Sequence, residues 1–171
     1  GIIGLGAIGQ AVARRAAGFG MRVLGWNRTP REVAGVESIS LPDLLSRSDF
    51  VSVHVALTEE TRYLLDADNI AGMKPGSVLV NTARGGIVDE GALAGALDSG
   101  HLYAAGMDVF EREPVPTDNP LLGHPRVVLA PHIGSATTRT RLKMVKLALD
   151  NARAALAGQP MPHCCNPSVY G

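Results

Sequence analysis

Apolar segments of strand length alternate with helix-like segments along the whole chain. We predict strands over about residues 2–3, 21–26, 50–55, 77–81, 103–109 and 127–130. Strands that are apolar on both faces and separated by helices belong to parallel sheets whose two faces are covered. Since the crossovers of such sheets are right-handed, the pattern predicts a doubly wound parallel sheet of the α/β class.

The predicted helices begin at recognisable capping residues. We predict N-caps at Ser40, Thr58, Asp66 and Asp89. Ser40 also has an acidic residue three positions on, which is the spacing of a capping arrangement. A last, longer helix is predicted from about residue 136 to 157, where Gly158 stops it.

Three glycines follow the first predicted strand and open the helix after it: Gly4, Gly6 and Gly9. In this strand–turn–helix setting the spacing is the fingerprint of a dinucleotide-binding, Rossmann-type unit. Gly4 permits the tight turn, Gly6 lets a pyrophosphate approach the backbone, and Gly9 allows close packing of helix on strand. Backbone N–H groups near Ala7 and Ile8 would then face the phosphates. The setting disfavours the alternative, a glycine-rich turn that binds nothing.

The residues after the second predicted strand bear on the choice of dinucleotide. NAD sites normally carry Asp or Glu there, which accepts hydrogen bonds from the ribose, whereas this chain has Asn27, Arg28 and Thr29. Without a carboxylate at that position nothing repels a 2′-phosphate, and the Arg28 guanidinium can pair with it. Thr29 can add a hydroxyl, and Arg31 a second charge. We therefore expect NADP(H) to be preferred, with NAD(H) the alternative if both arginines are merely solvated.

Composition excludes several function classes. Sixteen basic and sixteen acidic residues cancel and only 4% of residues are aromatic, which argues against binding of nucleic acids or anionic membranes. No segment approaches the roughly 20 apolar residues that span a bilayer. Cys164 and Cys165 are neighbours and form no disulfide framework, which fits a reducing, cytoplasmic setting. No His, Asp and Glu cluster has the spacing of metal ligands, so we expect no metal.

Three polar segments stand at the ends of predicted strands, where the ligands of such sheets bind: residues 81–86, 108–114 and 131–135. Here the chain resembles the D-isomer-specific 2-hydroxyacid dehydrogenases. The resemblance covers almost the whole chain, in the family's order and spacing, and is carried by GIIGLGAIGQAVA, HVALTEETRYLL, MKPGSVLVNTARGGIVDE, AAGMDVFEREP and PHIGSAT. It implies an oxidoreductase that transfers a hydride between a nicotinamide cofactor and a small 2-oxo or 2-hydroxy acid of D configuration.

The residue types in these segments suit that chemistry. A guanidinium suits a substrate carboxylate and carbonyl, a role expected of Arg84. A histidine titrates near neutral pH, so His132 is expected to donate the proton in reduction and accept it in oxidation. A carboxylate that orients the imidazole suits Glu113, where the resemblance places the catalytic Glu, rather than Glu111. Singly, each could be a surface ion-pair donor, a structural histidine or a solvated carboxylate, but together they favour an active site.

The resemblance also implies which further residues line the cofactor. They are Ala56 and Thr61 in a loop after a strand, Thr82, Ala83 and Arg84 around the nicotinamide, Asp108 on the nicotinamide side, and His132, Gly134 and Ser135, which close the pocket. The family more often has proline where Ala56 stands, a departure expected only to loosen the loop. The other histidines are expected to be structural or exposed, namely His54, His101, His124 and His163.

We assign residues 1–150 to a dinucleotide-binding domain and 151–171 to a return towards a substrate-binding domain. By resemblance, that second domain also needs an N-terminal portion, which this chain lacks. That portion would form the other wall of the substrate pocket and carry most of the discrimination among substrates. The expected substrates are glyoxylate or hydroxypyruvate, and this expectation rests only on the residues after the second strand that favour NADPH. The resemblance also suggests a homodimer.

Two other interpretations stay open. A dinucleotide-sensing regulator of the C-terminal-binding-protein corepressor type shares this fold and similar Arg, Glu and His positions. Such regulators generally respond to NAD(H), and their acidic residue after the second strand is lacking here. An isolated dinucleotide-binding module without chemistry is the third interpretation.

Overall fold

A seven-stranded parallel sheet dominates the computed structural model, which describes residues 1–170. Within these residues the strands are β1 (Ile2–Ile3), β2 (Val23–Trp26), β3 (Val36–Ser38), β4 (Phe50–Val53), β5 (Val78–Asn81), β6 (Ala104–Met107) and β7 (Val127–Leu129). The helices are α1 (Ala7–Gly18), α2 (Leu41–Arg47), α3 (Ala67–Ala71), α4 (Glu90–Asp98) and α5 (Thr138–Leu156), with short 3₁₀ turns at Gly85–Ile87 and Pro167–Tyr170. The strand order is β3-β2-β1-β4-β5-β6-β7, all pairs being parallel. The predicted fold class is confirmed.

The order of strand addition reverses at β1. One side of β1 pairs with β2, so that Ile3 lies opposite Trp26, and the other side pairs with β4, so that Ile3 lies opposite Val53. Both Ile3 and Val53 are completely buried. In open α/β sheets ligands bind beyond the carboxyl ends of the strands at such a reversal, and this is where the glycine turn lies.

Three predicted N-caps are confirmed. The backbone N–H three residues on donates to the side-chain oxygen of each cap, at 3.2 Å for Ser40 and 2.9 Å for Asp66 and Asp89. Each of these bonds satisfies a donor that the first turn of a helix otherwise leaves unpaired. The starts of α2, α3 and α4 therefore follow from local sequence.

The helix predicted after Thr58 is wrong. The carbonyl of Thr58 accepts the N–H groups of Thr61 and Arg62, but only turns follow before α3. The Thr61 hydroxyl accounts for the difference, because it donates back to the Ala56 carbonyl at 2.6 Å and accepts the Thr58 N–H at 2.7 Å. The segment therefore closes on itself as a compact loop.

β1 has the predicted bounds, the other five predicted strands are shorter than predicted, and β3 was not predicted. β2 begins at Val23 rather than residue 21, and β6 ends at Met107 rather than residue 109. β3 lies at the edge of the sheet and contains no buried residue. Because an edge strand needs no apolar run, β3 lacks the apolar segment from which the other strands were predicted.

Two buried clusters pack against the sheet. One contains Ile2, Leu5, Ala13 and Val23 and lies with α1. The larger one includes the fully buried leucines of α2 and α4, namely Leu44, Leu45, Leu93 and Leu97. Truncating one such leucine to alanine costs about 2–5 kcal/mol, so this cluster contributes strongly to the stability of the sheet that carries the polar segments.

The chain divides into two compact units, Gly1–His132 and a second that begins at Ile133. The first contains the whole sheet. The second contains α5, which Thr137 caps and which stops before Gly158 at a φ of +68°, as predicted. No residue of α5 is buried. No helix within residues 1–170 combines the length and apolarity needed to cross a membrane. The domain boundary near residue 150 stays a prediction.

Candidate active site

The turn after β1 requires glycine for steric reasons. Gly4 has a φ of +97°, and a Cβ there would lie 2.7 Å from the His54 carbonyl oxygen. A Cβ on Gly9 would collide with the carbonyl oxygen of Gly4, so α1 packs directly on the turn. A Cβ on Gly6 would meet nothing within 4 Å. Since Gly6 is itself the N-cap and brings no capping side chain, the helix that begins at Ala7 is open to an anionic ligand.

A cavity of about 240 Å³ lies beyond the ends of β1, β2 and β4, and we call it the β2–β4 cavity. Its walls bring together many of the predicted cofactor-binding residues: Gly4, Gly6, Asn27, Arg28, Thr29, Ala56 and Thr61. The lining also includes Trp26, His54, Val55 and Thr58. Burial lowers the pKa of His54, which favours its neutral form.

The Asn27 side chain fastens the glycine turn to the end of β2. Its Oδ1 accepts the Leu5 N–H at 3.1 Å, and its Nδ2 donates to the Thr29 carbonyl at 2.7 Å. Arg31 Nη1 donates to the Leu5 carbonyl at 3.1 Å. Asn27 and Arg31 are thus engaged within the protein, and their contacts with a cofactor stay predictions.

Arg28 pairs with a carboxylate on the loop after β4. Its Nη1 lies 3.4 Å from Oε2 of Glu60, and the two side chains are 67% and 65% exposed. The same oxygen accepts the Thr58 hydroxyl at 2.6 Å. Sequence reasoning missed Glu60: it is one of two adjacent acids in an exposed turn of the HVALTEETRYLL segment, and nothing in the sequence places it near Arg28. We expected no carboxylate near Arg28 that would repel a 2′-phosphate. Glu60 supplies one from another loop, so that expectation is incomplete.

A second cavity, of about 590 Å³, lies beyond the ends of β4 and β5. The predicted residues along it are Ile8, Ala56, Thr82, Ala83 and Arg84. The completely buried Asn81 shapes this wall, since its Oδ1 accepts the Ala83 N–H at 3.0 Å and its Nδ2 donates to the Arg84 carbonyl at 2.9 Å. Asn81 was assigned no role from the sequence, where its only signal was an amide side chain at the end of a predicted strand.

The three predicted catalytic residues line a third cavity, of about 500 Å³: Arg84, Glu113 and His132. Nδ1 of His132 lies 2.8 Å from Oε2 of Glu113. The other carboxylate oxygen accepts the Phe110 N–H at 3.0 Å. The hydrogen bond with His132, followed by that from Phe110, holds the pKa of Glu113 below its ordinary value, so this carboxylate is ionised at neutral pH.

Arg84 owes its position to close contact between two loops. A Cβ on Gly85 would collide with the Phe110 backbone, so the loop after β5 packs tightly on the loop after β6. Arg84 Nη1 donates to the Ala83 carbonyl at 2.6 Å, and its charge helps to lower the pKa of Glu113. The arrangement thus combines one fixed cation with a His–Glu pair in a single cavity.

A buried carboxylate supports the loop that carries Glu113. Glu90, the first residue of α4, is only 5% exposed. Its Oε1 accepts the Glu111 N–H and its Oε2 accepts the Asn119 side-chain amide, both at 2.6 Å. The Glu111 side chain accepts the Tyr63 hydroxyl, which raises the pKa of that tyrosine. Sequence reasoning missed Glu90, because these contacts join residues far apart in the chain.

The remaining predicted residues lie in two places. Asp108 is nearly buried, its N–H donates to the Asn81 carbonyl at 3.0 Å, and its carbonyl accepts the His132 N–H at 2.8 Å. Gly134 and Ser135 belong to the second unit, in the turn before α5. Their binding roles, and those of all the predicted site residues, stay predictions. In the described part of the chain no group of three His, Cys, Asp or Glu side chains is placed to hold a metal.

Comparison with known sequences gives extensive matches. Residues 1–134 match the sequence model of the D-isomer specific 2-hydroxyacid dehydrogenase, NAD binding domain. Over 173 residues the chain is 48% identical to the glyoxylate reductase of Korarchaeum cryptofilum, and the match covers 99% of this chain and 52% of that protein. It is 46% identical over 174 residues to glyoxylate/hydroxypyruvate reductase B of Yersinia enterocolitica, covering 99% and 53%. The chain spans about half the length of these curated relatives.

Solved structures agree with these matches. The TT0316 protein from Thermus thermophilus has a TM-score of 0.89 and 47% identity, covering 94% of this chain and 51% of that one. A D-isomer specific 2-hydroxyacid dehydrogenase from Xanthobacter autotrophicus Py2, solved with NADPH and MES, has a TM-score of 0.82 and 39% identity, covering 98% and 70%. Sequence and fold thus point to the same group of proteins.

Proposed function

Because the chain belongs to the family of D-isomer-specific 2-hydroxyacid dehydrogenases, we propose that its protein transfers a hydride between a nicotinamide cofactor and a small 2-oxo or 2-hydroxy acid of D configuration. The observation that carries this proposal is the cavity shared by Arg84, Glu113 and His132, with 2.8 Å between the last two side chains. A cation for the carboxylate, a proton donor and a group that orients the donor are what such a reaction requires.

Each of the three side chains has a separate task. Arg84 binds the substrate carboxylate and polarises the adjacent carbonyl, which its planar guanidinium suits. His132 donates a proton to the carbonyl oxygen while the bound nicotinamide supplies the hydride to carbon 2. Since Nδ1–H of His132 is engaged by Glu113, Nε2 is the nitrogen available to the substrate. Glu113 fixes the ring and balances its charge. In oxidation the same imidazole accepts the proton.

We propose NADP(H) as the preferred cofactor, with NAD(H) as the alternative. The open space at Gly6, at the start of α1, suits a pyrophosphate. Arg28 and Thr29 in the β2–β4 cavity suit a 2′-phosphate. The Xanthobacter autotrophicus protein was solved with NADPH, which supports the preference. The matched domain is described as NAD binding, which keeps the alternative in place.

We propose glyoxylate or hydroxypyruvate as the substrate, because the relatives from Korarchaeum cryptofilum and Yersinia enterocolitica are named for these acids. The chain spans about half the length of those relatives, so the choice among 2-oxo acids has to be measured on the full-length protein. We also propose a homodimer and a cytoplasmic location. The free thiols of Cys164 and Cys165 support a reducing compartment.

The test is the initial rate of NADPH and NADH oxidation by the full-length protein with glyoxylate, hydroxypyruvate, pyruvate and phenylpyruvate. We expect turnover with glyoxylate or hydroxypyruvate, and a higher kcat/KM with NADPH than with NADH. Equal rates with both cofactors would contradict the NADP(H) preference alone. Cofactor binding without turnover of any of these acids would contradict the proposed dehydrogenase activity and favour a dinucleotide-sensing regulator.

A further inference from the structure

The Arg28–Glu60 pair joins two loops beside the β2–β4 cavity. Arg28 follows β2, and Glu60 lies on the loop after β4, next to the lining residue Thr61. Oε2 of Glu60 lies 3.4 Å from Arg28 Nη1 and accepts the Thr58 hydroxyl at 2.6 Å. Thr58 also lines the cavity, so the carboxylate is held at its edge from one side and faces the arginine on the other.

The carboxylate of Glu60 is charged at neutral pH. Its pKa lies below the ordinary value because of the hydrogen bond from the Thr58 hydroxyl, a bond from its own backbone and the charge of Arg28, in that order. Both members of the pair are about two-thirds exposed, so water and salt screen their attraction and the contact is weak. A stronger anion can therefore displace Glu60 from the guanidinium.

We infer that Glu60 is a cofactor-specificity residue, which competes with the 2′-phosphate of NADP(H) for the Arg28 guanidinium and so limits the preference for NADP(H) over NAD(H). This inference rests on the proposal that Arg28 binds that phosphate. A phosphate dianion pairs with a guanidinium more strongly than a carboxylate does, but it must then lie close to the displaced Glu60 charge. NAD(H) has no 2′-phosphate and leaves the Arg28–Glu60 pair undisturbed.

The expected size follows from the charges. A dianion and a carboxylate separated by about 8 Å in water repel each other enough to change an affinity about fivefold. The effect must fall with salt, because about 8 Å is also the screening length at physiological ionic strength. Removing the Glu60 charge should therefore strengthen NADPH binding about fivefold and leave NADH binding within about twofold.

The experiment compares the full-length wild-type protein with Glu60→Gln and with Glu59→Gln as the matched control. Glu59→Gln removes the same charge from the adjacent exposed residue, outside the contact with Arg28. Titration calorimetry measures the affinities for NADPH, NADH, adenosine 2′,5′-bisphosphate and AMP at low and high salt. We expect Glu60→Gln to strengthen only the two 2′-phosphorylated ligands, by about fivefold at low salt and less at high salt, and Glu59→Gln to act on neither by more than about twofold.

Three results would overturn the inference: no change in Glu60→Gln, an equal change for NADPH and NADH, or an equal effect of Glu59→Gln. An Arg28→Ala variant separates this failure from that of the proposed function. If Arg28→Ala weakens NADPH and Glu60→Gln does not strengthen it, only the role of Glu60 is wrong. If the wild-type protein binds neither cofactor, the proposed function itself is wrong.

Discussion

Replacing the buried Glu90 should destabilise the protein and disturb the loop that carries Glu113. Glu90 lies at the start of α4 and accepts two hydrogen bonds of 2.6 Å, from the Glu111 N–H and the Asn119 side chain. Glu90→Ala removes both acceptors at a place that is only 5% exposed. The buried Asn119 amide and the part-buried Glu111 N–H would then both lose their acceptor.

The magnitude follows from these two bonds. A hydrogen bond to a charged group contributes about 1.5–3 kcal/mol, so Glu90→Ala should lower the free energy of unfolding by about 3–5 kcal/mol. Glu90→Gln keeps the volume and one acceptor oxygen, but it turns an NH₂ group towards the second donor. It should therefore cost about 1.5–3 kcal/mol.

Urea unfolding of the wild-type protein, both variants and an exposed control, Glu59→Ala, measures these differences. The control should stay within about 0.5 kcal/mol of the wild type. In Glu90→Gln, kcat should fall more than NADPH affinity, because the β2–β4 cavity is built from other elements. A loss of less than about 1 kcal/mol in Glu90→Ala would refute the reasoning.

Three further predictions concern the proposed site. His132→Ala should lower kcat by about 10²–10⁴-fold and leave the NADPH affinity nearly unchanged. The exposed control His163→Ala should keep its activity. A loss of NADPH affinity as large as the loss of kcat would reject His132 as the acid. Arg28→Ala should weaken NADPH about tenfold in calorimetry and NADH by less than about twofold, and an unchanged ratio would remove the phosphate contact. The folded-state pKa of Glu113 is lowered, so its stabilising contribution is complete above the ordinary value of 4.5 and is lost as the pH falls through the folded pKa. Urea unfolding should therefore show the wild type losing its advantage over Glu113→Gln on acidification, and a growing advantage would contradict this.

Local signals in the sequence predicted much of the fold. The caps Ser40, Asp66 and Asp89 act within three residues of the chain, so they could be identified without knowledge of packing. Thr58 looks like them in sequence, but its hydroxyl donates to Glu60 and Thr61 bonds back to the Ala56 carbonyl, so its segment is a loop. β3 carries no apolar run, since an edge strand can be stabilised by its single neighbour, β2.

The residues of the candidate site also divide into those that local sequence predicts and those that it does not. Gly4 and Gly9 were predictable, because a tight turn packed against the start of a helix excludes side chains at these two positions, and the spacing of the glycines indicates such a turn. Glu60 and Glu90 were not, because each acts through contacts between segments far apart in the chain. Asn81 bonds only to residues two and three positions on, but no local sequence pattern marks a buried amide at a strand end as a support for the following loop. Glu60 matters most of the three, since it supplies a carboxylate near Arg28 when the end of β2 lacks one.

The loop after β6 carries two carboxylates, and their surroundings give them different tasks. Both Glu111 and Glu113 line the third cavity, yet only Glu113 contacts His132. The side chain of Glu111 is engaged by the Tyr63 hydroxyl, and its N–H donates to the buried Glu90. The loop is thus anchored through Glu111, which leaves the Glu113 side chain free to contact the His132 imidazole. A loop fixed at one residue can hold a nearby carboxylate against an imidazole without burying it, and this leaves the pair as accessible as its proposed role requires.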